Sequence, residues 1–583
     1  MRFTRSEQQR STAAQLAIAT LLVLVAGSCS DPGSNNGAAV ATPATLTTAT
    51  SAGGQNSSVE PTATVPTSGP VPHTSGVPRV EETNCAATIP TDSRVKCLTL
   101  VVPESRRIAA ADPTRLVRLP VVIIAAKDPS QRLADPVLWI DYDAGDGFVA
   151  NRARNFTEES LAINKNRDVI TLDLRGSGLA EPSLACPEVT SLNTGAFAAR
   201  TDETSPEGRA MRLDAIKQCH DRIVADGVEL SAYASEDSAR DLEDLRVALG
   251  LKQWNIVAGE YGSKLAQILA RDYPDSVRTV VVNSTPIPLQ ADWFADLAAN
   301  ADGAWTALVA TCEADAGCAQ AFPDLANRLT GYLADLASNP RLYDAVVLYA
   351  GEHEPFLMTA DRLLSYVRSN SRDSHSISQL PMSIAGPPGS SARDLQTFDP
   401  DNPATLKFQA SDAYYLGAWG LWELVPQNAD ISLGSYALGA HLSAVCRDEA
   451  PFTTAAKLAS AADDPLFGQF LGRHADLEAC NVWAVDPAPP DANEAVHSDI
   501  PFLVLAGDLD SVSSPAWAHA FADNLSAAQI VDFPGMGTQP TGGAFTTAQT
   551  CARQLRDAFL AEPTAPLDQT CVATSHGVAF DVP

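Results

Sequence analysis

The stretch "QWNIVAGEYGSKLAQ", residues 253–267, holds a short apolar run, a turn and the start of a helix. Ile, Val and Ala in an uninterrupted run bounded by glycine read as a strand buried on both faces. The turn "AGEYGS" at 258–263 sets small residues, Ala258, Gly259 and Gly262, around two large ones, Glu260 and Tyr261, and Ser263 falls in the first helical turn. Outward from this point the same kind of run recurs: "LVRLPVVIIAA" (116–126), "DPVLWIDYD" (135–143), "RDVITLDLRG" (167–176), "VRTVVVNST" (277–285) and "IPFLVLAGDLD" (500–510). Between the runs lie helical patterns such as "SEDSARDLEDLRVALGL" (235–251), where Ser235 and Asp237 are placed to cap and Leu242, Leu245, Val247 and Leu249 recur at helical spacing. The alternation predicts an α/β fold, a mostly parallel sheet with helices on both faces. In such sheets ligands bind at the carboxyl ends of the strands, so the residues just after each run carry the function.

Composition narrows the partners. The 583 residues include 70 Asp and Glu against 40 Lys and Arg, a formal net charge of -30, which repels phosphate backbones and argues against nucleic acid. At the N-terminus a basic segment, the apolar "LAIATLLVLVAG" and small residues before Cys29 in "AGSCS" read as a lipoprotein signal over 1–29, with lipidation expected on Cys29 and simple secretion as the alternative. Residues 30–78, rich in Thr, Ala, Ser and Pro, lack the apolar surface to fold and read as a stalk. Membrane contact is thus expected through the anchor only. Ten further cysteines fall as near neighbours, Cys85 and Cys97, Cys186 and Cys219, Cys312 and Cys318, Cys446 and Cys480, Cys551 and Cys571. Many connectivities are open to ten cysteines, and nearest-neighbour pairing is the expectation, in keeping with export.

The segment 233–286 around the turn closely resembles secreted α/β-hydrolase peptidases of the tripeptidyl aminopeptidase and proline iminopeptidase type. "RDVITLDLRGSGLAEPSLACPE" (167–188), "NCAATIPTDSRVKCLTLVVPES" (84–105) and "CARQLRDAFLAEPTAPLDQTC" (551–571) are similar to that family's strand and Arg-Gly-x-Gly turn, its N-terminal segment and its C-terminal segment. The resemblance implies an α/β-hydrolase fold, its core split into 79–290 and 494–583 by a helical cap inserted at 291–493. The Gly- and Pro-rich "AGPPGSSARDLQTFDPDNPA" (385–404) reads as a flexible loop inside that cap.

Carried over residue by residue, the family's triad is broken. The nucleophile position of its small-x-Ser-x-Gly elbow is Glu260, the acid is Asp510 in "LAGDLDSVSS", and the histidine position in "FPGMGTQP" is Thr538; no histidine lies between His519 and His576. The oxyanion region maps to the backbone of Tyr261 and to "DYDAGDG", with Asp141, Tyr142, Asp143, Ala144 and Gly145. Glu260, at a helix N-terminus, is expected to stay ionised and to fold toward that pocket. Ser263 is expected to be structural.

Asp141, Asp143, Asp146, Glu260 and Asp510 come from strand ends that converge in this fold, so calcium or a cationic ligand is an alternative occupant, against a solvated acidic rim. No Cys-x-x-Cys or Cys-His spacing suggests zinc. In relatives, acids of the cap can hold a substrate's free amino group, so the resemblance makes Asp448 and Glu449 of "CRDE" the candidates for that role. His441 and His474 read as packed or surface histidines. The expectation is a non-catalytic protein binding peptides or another small ligand, with no cofactor. The competing expectation is a hydrolase with an unrecognised nucleophile.

Overall fold

The computed structural model describes residues 76–86, 94–106, 114–141, 143–149, 162–192, 201–202, 204–284, 286–347, 352–371, 374–385, 436–468, 475–542 and 546–582, all within the unit that spans residues 70–583. The signal segment, Cys29, the stalk, Tyr142, His474 and nearly all of the Gly- and Pro-rich loop lie outside the described residues. Of Asp141 only the backbone is described.

Nine strands form one sheet in the order β1-β2-β3-β5-β4-β6-β7-β10-β11. They are β1 (Arg79–Glu82), β2 (Val95–Pro103), β3 (Leu116–Ile124), β4 (Val137–Asp141), β5 (Val169–Leu172), β6 (Trp254–Gly259), β7 (Val277–Val282), β10 (Phe502–Gly507) and β11 (Ala528–Phe533). The strands from β5 across to β11 are parallel, whereas β1, β2 and β3 pair antiparallel. The run at 116–126 is therefore a buried strand of the opposite direction, which side-chain pattern alone does not distinguish. In β5, β6 and β10 every residue is buried, as strands covered on both faces must be.

The covering helices include α1 (Pro206–Ala225), α2 (Ser235–Ala248) and α3 (Glu260–Asp272). The next segment builds α4 (Leu297–Ala314), α5 (Leu325–Ser338), the antiparallel hairpin of β8 (Arg341–Val347) and β9 (Glu352–Met358), α6 (Ala360–Asn370) and α7 (Ser374–Ala385). The expected helical cap thus contains a two-stranded sheet. Its helices bury their own apolar cluster, including Trp305, Leu329, Leu336, Leu364 and Leu380. By contrast α8 (Leu438–Asp448) and α9 (Ala475–Trp483) send Leu442, Cys446, Ala479 and Trp483 into the core of the sheet. The interval 291–493 therefore serves two cores.

Five disulfides join the sequence neighbours, Cys85–Cys97, Cys186–Cys219, Cys312–Cys318, Cys446–Cys480 and Cys551–Cys571. Among the described residues no helix is long and apolar enough to cross a membrane.

Candidate functional site

β6 passes into α3 through the turn at 258–263. Glu260 opens the helix with φ +48°, a left-handed conformation that costs a non-glycine residue about 1–2 kcal/mol. Gly262 is dictated by contact: a Cβ there would lie 1.6 Å from the Ile140 carbonyl oxygen of β4. The Glu260 N–H donates to Ser284 Oγ (3.2 Å). Ser263 is buried, its hydroxyl donating to the Glu260 carbonyl (2.6 Å) and accepting from Ile287 N (3.0 Å). Its one proton is committed to the backbone, so it ties helix to loop as expected of a structural serine.

The acid and histidine positions meet. Gly507, at the end of β10, lies so close to the 534–538 segment that a Cβ would come 2.3 Å from the carbonyl oxygens of Met536 and Gly537. That approach puts Thr538 Oγ1 3.0 Å from Asp510 Oδ1, to which it donates. The same oxygen accepts from Val512 N and Ser513 N (both 2.9 Å), and Oδ2 accepts from Ser513 Oγ (2.9 Å). Asp510 is 0% and Thr538 1% exposed. Burial pushes the Asp510 carboxyl up, opposed by these hydrogen bonds. A threonine hydroxyl does not titrate near neutral pH, so the family's histidine position offers no imidazole base here.

On the oxyanion side, Asp141 pairs in register with Gly259. The following loop closes on itself: Gly145 N donates to Asp143 Oδ1 and Asp143 N to Asp146 Oδ2, both at 3.4 Å. Of the N–H groups that the resemblance assigns to the oxyanion region, those of Asp143 and Gly145 thus face carboxylates of their own loop. Gly145 O accepts from Ala437 N (2.8 Å), which docks α8 on the loop.

Sequence reasoning undervalued His441. On α8, it sits with Nδ1 3.2 Å from Asp143 Oδ1 and Nε2 3.3 Å from Asp476 Oδ2, and Asp476 also takes Arg212 (3.1 Å). Burial by itself favours the neutral ring, but the two carboxylates win and hold His441 protonated well above its ordinary range. An imidazolium with both nitrogens donating to carboxylates is no general base. It also offsets the negative rim expected at 141–147. His441 is 298 residues from Asp143 in sequence, and only its place on the same helix as "CRDE" hinted at the site.

Asp448 and Glu449 are engaged by the chain itself. Asp448 Oδ2 accepts from Ser235 N (2.8 Å) and Ser235 Oγ (2.6 Å), and Ser235 Oγ also meets Tyr261 Oη (2.9 Å). Ser235 and Asp237 do not cap α2; Ala234 is the cap residue without a side-chain bond, and the distant Asp448 carboxylate serves the helix N-terminus. Glu449 forms a buried ion pair with Lys264 of α3. Among the described residues, no three His, Cys, Asp or Glu side chains converge to hold a metal ion.

A model of the alpha/beta hydrolase fold matches residues 147–320, and one of TAP-like proteins matches residues 464–571. YuaR of Escherichia coli (strain K12), named a hydrolase, is 27% identical over 168 residues, 28% of this chain and 30% of that protein. The tripeptidyl aminopeptidase of Streptomyces lividans is 29% identical over 124 residues, 21% of this chain and 23% of that protein. The matches thus span less than a third of these relatives' own length. An alpha/beta hydrolase fold protein from Chitinophaga pinensis superposes with a TM-score of 0.30 and 10% identity over 76% of this chain and 94% of that one. With the elbow, the parallel sheet and both family models in the same chain order, the chain has the α/β-hydrolase fold and is similar in part of its length to tripeptidyl aminopeptidases.

Proposed function

We propose that this protein is a non-catalytic member of its family, exported and lipid-anchored through Cys29, which binds a peptide or another small ligand at the carboxyl ends of its strands. The observation that carries the reading is the hydrogen bond from Thr538 to Asp510, in the place of a histidine–carboxylate pair. Acyl transfer needs a nucleophile, a base to take its proton and donors for the oxyanion. Here a carboxylate occupies the elbow, the base position does not titrate, and Gly145 N–H is directed at Asp143. A carboxylate nucleophile at Glu260 would leave an ester whose hydrolysis again requires a base.

The test is an assay of the purified protein against aminoacyl and tripeptidyl fluorogenic amides and simple esters, beside Glu260→Ser and Glu260→Ser with Thr538→His. The parent is expected to be silent, and gain of turnover in the double variant would show that the cleft still recognises substrate. Turnover in the parent that survives repeated purification and is lost in Glu260→Ala would overturn the reading in favour of a glutamate nucleophile. Turnover that survives in Glu260→Ala overturns it in favour of a different one.

A further inference from the structure

The segment that follows α11 (Thr570–Thr574) joins the core of the sheet to that of the cap. Cys571 is tied by its disulfide to Cys551 of α10 (Thr547–Ala561), so the segment starts from a fixed point. Residues 575–582 then run without helix or strand. His576 N donates to Thr547 Oγ1 (2.8 Å), Val578 N to the Gly535 carbonyl (2.9 Å) and Asp581 N to the Ser378 carbonyl of α7 (3.0 Å). Val578 and Phe580 pack against the apolar cluster of the cap. The crossing is close: a Cβ on Gly577 would lie 2.3 Å from the Gly535 carbonyl oxygen, and Gly535 itself holds φ +69°. Within eight residues the chain thus passes from α10, over the turn that leads to Thr538, onto a cap helix.

The cap has another attachment, to the acid. Asn300 Nδ2 of α4 donates to the Val512 carbonyl (3.1 Å), Ser511 Oγ donates to the Arg368 carbonyl of α6 (2.6 Å), and Leu509 is buried in the cap's own cluster. Asp510 lies between these contacts. A circuit therefore closes from the acid loop through the cap, along residues 575–582 to the Gly535 turn, and back through the Thr538 hydroxyl to Asp510. Its two arms differ in strength. Leu509, Asp510 and Ser511 are fully buried, whereas Ala579 and Asp581 are exposed and Val582 is 47% exposed. An exposed segment held by a few backbone bonds and two half-buried side chains opens at far lower cost than a strand of the sheet. It also lies beyond residue 571, where the match to TAP-like proteins ends.

We propose that residues 575–582 are a strap that holds the cap down on the acid loop, and that detachment of the strap lets the cap loosen while the sheet stays folded. The proposal is independent of the reading of the elbow, since it requires a cap and no nucleophile.

Native-state hydrogen exchange of the full chain, read by peptide mass, tests it. Gly577→Val drives a side chain into the Gly535 carbonyl, and Phe580→Asp withdraws the apolar anchor from the cap. Each is expected to speed exchange of the α6 and α7 amides roughly tenfold, the worth of one or two lost hydrogen bonds, and to leave β6 and β10 unchanged. Ala579→Val, at the exposed position between them, is expected to change neither. Unchanged exchange in α6 and α7 in both variants would overturn the proposal. So would an equal rise in β6 and β10, which would make the segment part of one cooperative core rather than a strap.

Discussion

Glu449→Gln tests what the acidic pair of the cap-return helix is for. Glu449 and Lys264 face each other with side chains only 10% and 5% exposed. At an effective dielectric near 20, opposite unit charges about 4 Å apart attract by about 4 kcal/mol, and removing one partner of a buried pair costs about 3–5 kcal/mol. Burial pulls the Lys264 ammonium down to about 8, opposed by Asp448, and the Gln variant leaves that buried amine without its carboxylate partner. We expect a loss of about 3 kcal/mol. Lys264→Met with Glu449→Leu, which removes both charges and keeps the volume, is expected to recover most of it. Urea unfolding with the disulfides intact, followed by far-UV circular dichroism, measures both. A single variant that loses less than about 1 kcal/mol, the value of an exposed pair, would refute the reasoning. Full stability with lost affinity for peptides bearing a free amino group would return Glu449 to the ligand role expected from sequence.

Two further predictions concern protons. His441 is held protonated, so folding raises its affinity for a proton; its contribution to stability is complete below the ordinary histidine range and is lost as pH rises through the folded value. His441→Gln should therefore cost most near pH 6, with the gap to the parent shrinking by up to about 1.4 kcal/mol per pH unit above that, and a gap independent of pH between 6 and 9 would contradict the charged clamp. Asp173 lies fully buried behind the oxyanion loop, accepting from Val149 N (2.6 Å) and Leu179 N (2.8 Å), and burial pushes it up to about 7. A raised carboxyl contributes stability at low pH that drains away as pH rises toward 7, so the ¹³C resonance of the Asp173 carboxyl should titrate near 7; a midpoint near 4 would remove it from the pH dependence.

The sequence disclosed what is local. Strands such as β6 and β10 are continuous apolar runs, and the small residues of the elbow announce themselves because Gly262 faces a carbonyl oxygen that admits nothing larger. Glu260, Asp510 and Thr538 followed from motif order. What stayed hidden was set by pairing across distance. Strand direction at 116–126 depends on partners in β2 and β5, and the β8–β9 hairpin lies where helical spacing dominates its surroundings. The likeness of Asp448 and Glu449 to ligand groups failed to anticipate their commitments, because neither Ser235 nor Lys264 is near them in the chain. Asp143 looked uncompensated for the same reason, since His441 reaches it only once α8 has packed onto the sheet.

These commitments share one element. The end of the chain entering α8 bonds the oxyanion loop through Ala437 N, the helix grips Asp143 with His441, its last residue Asp448 serves the N-terminus of α2, and Glu449 just beyond it pairs with the elbow helix. One helix thus fixes the loop, the elbow and a covering helix relative to one another. That matters for Glu260, because a non-glycine residue at φ +48° persists only where its surroundings over-determine it. Once serine and histidine are absent, nothing in the chemistry of acyl transfer maintains such a turn. The packing does, through Gly262 against Ile140 and through α8, so the strand ends still converge on a rigid surface. A surface preorganised in this way binds without first losing the entropy of ordering itself. That property suits recognition as well as catalysis, and the proposed ligand role draws on it.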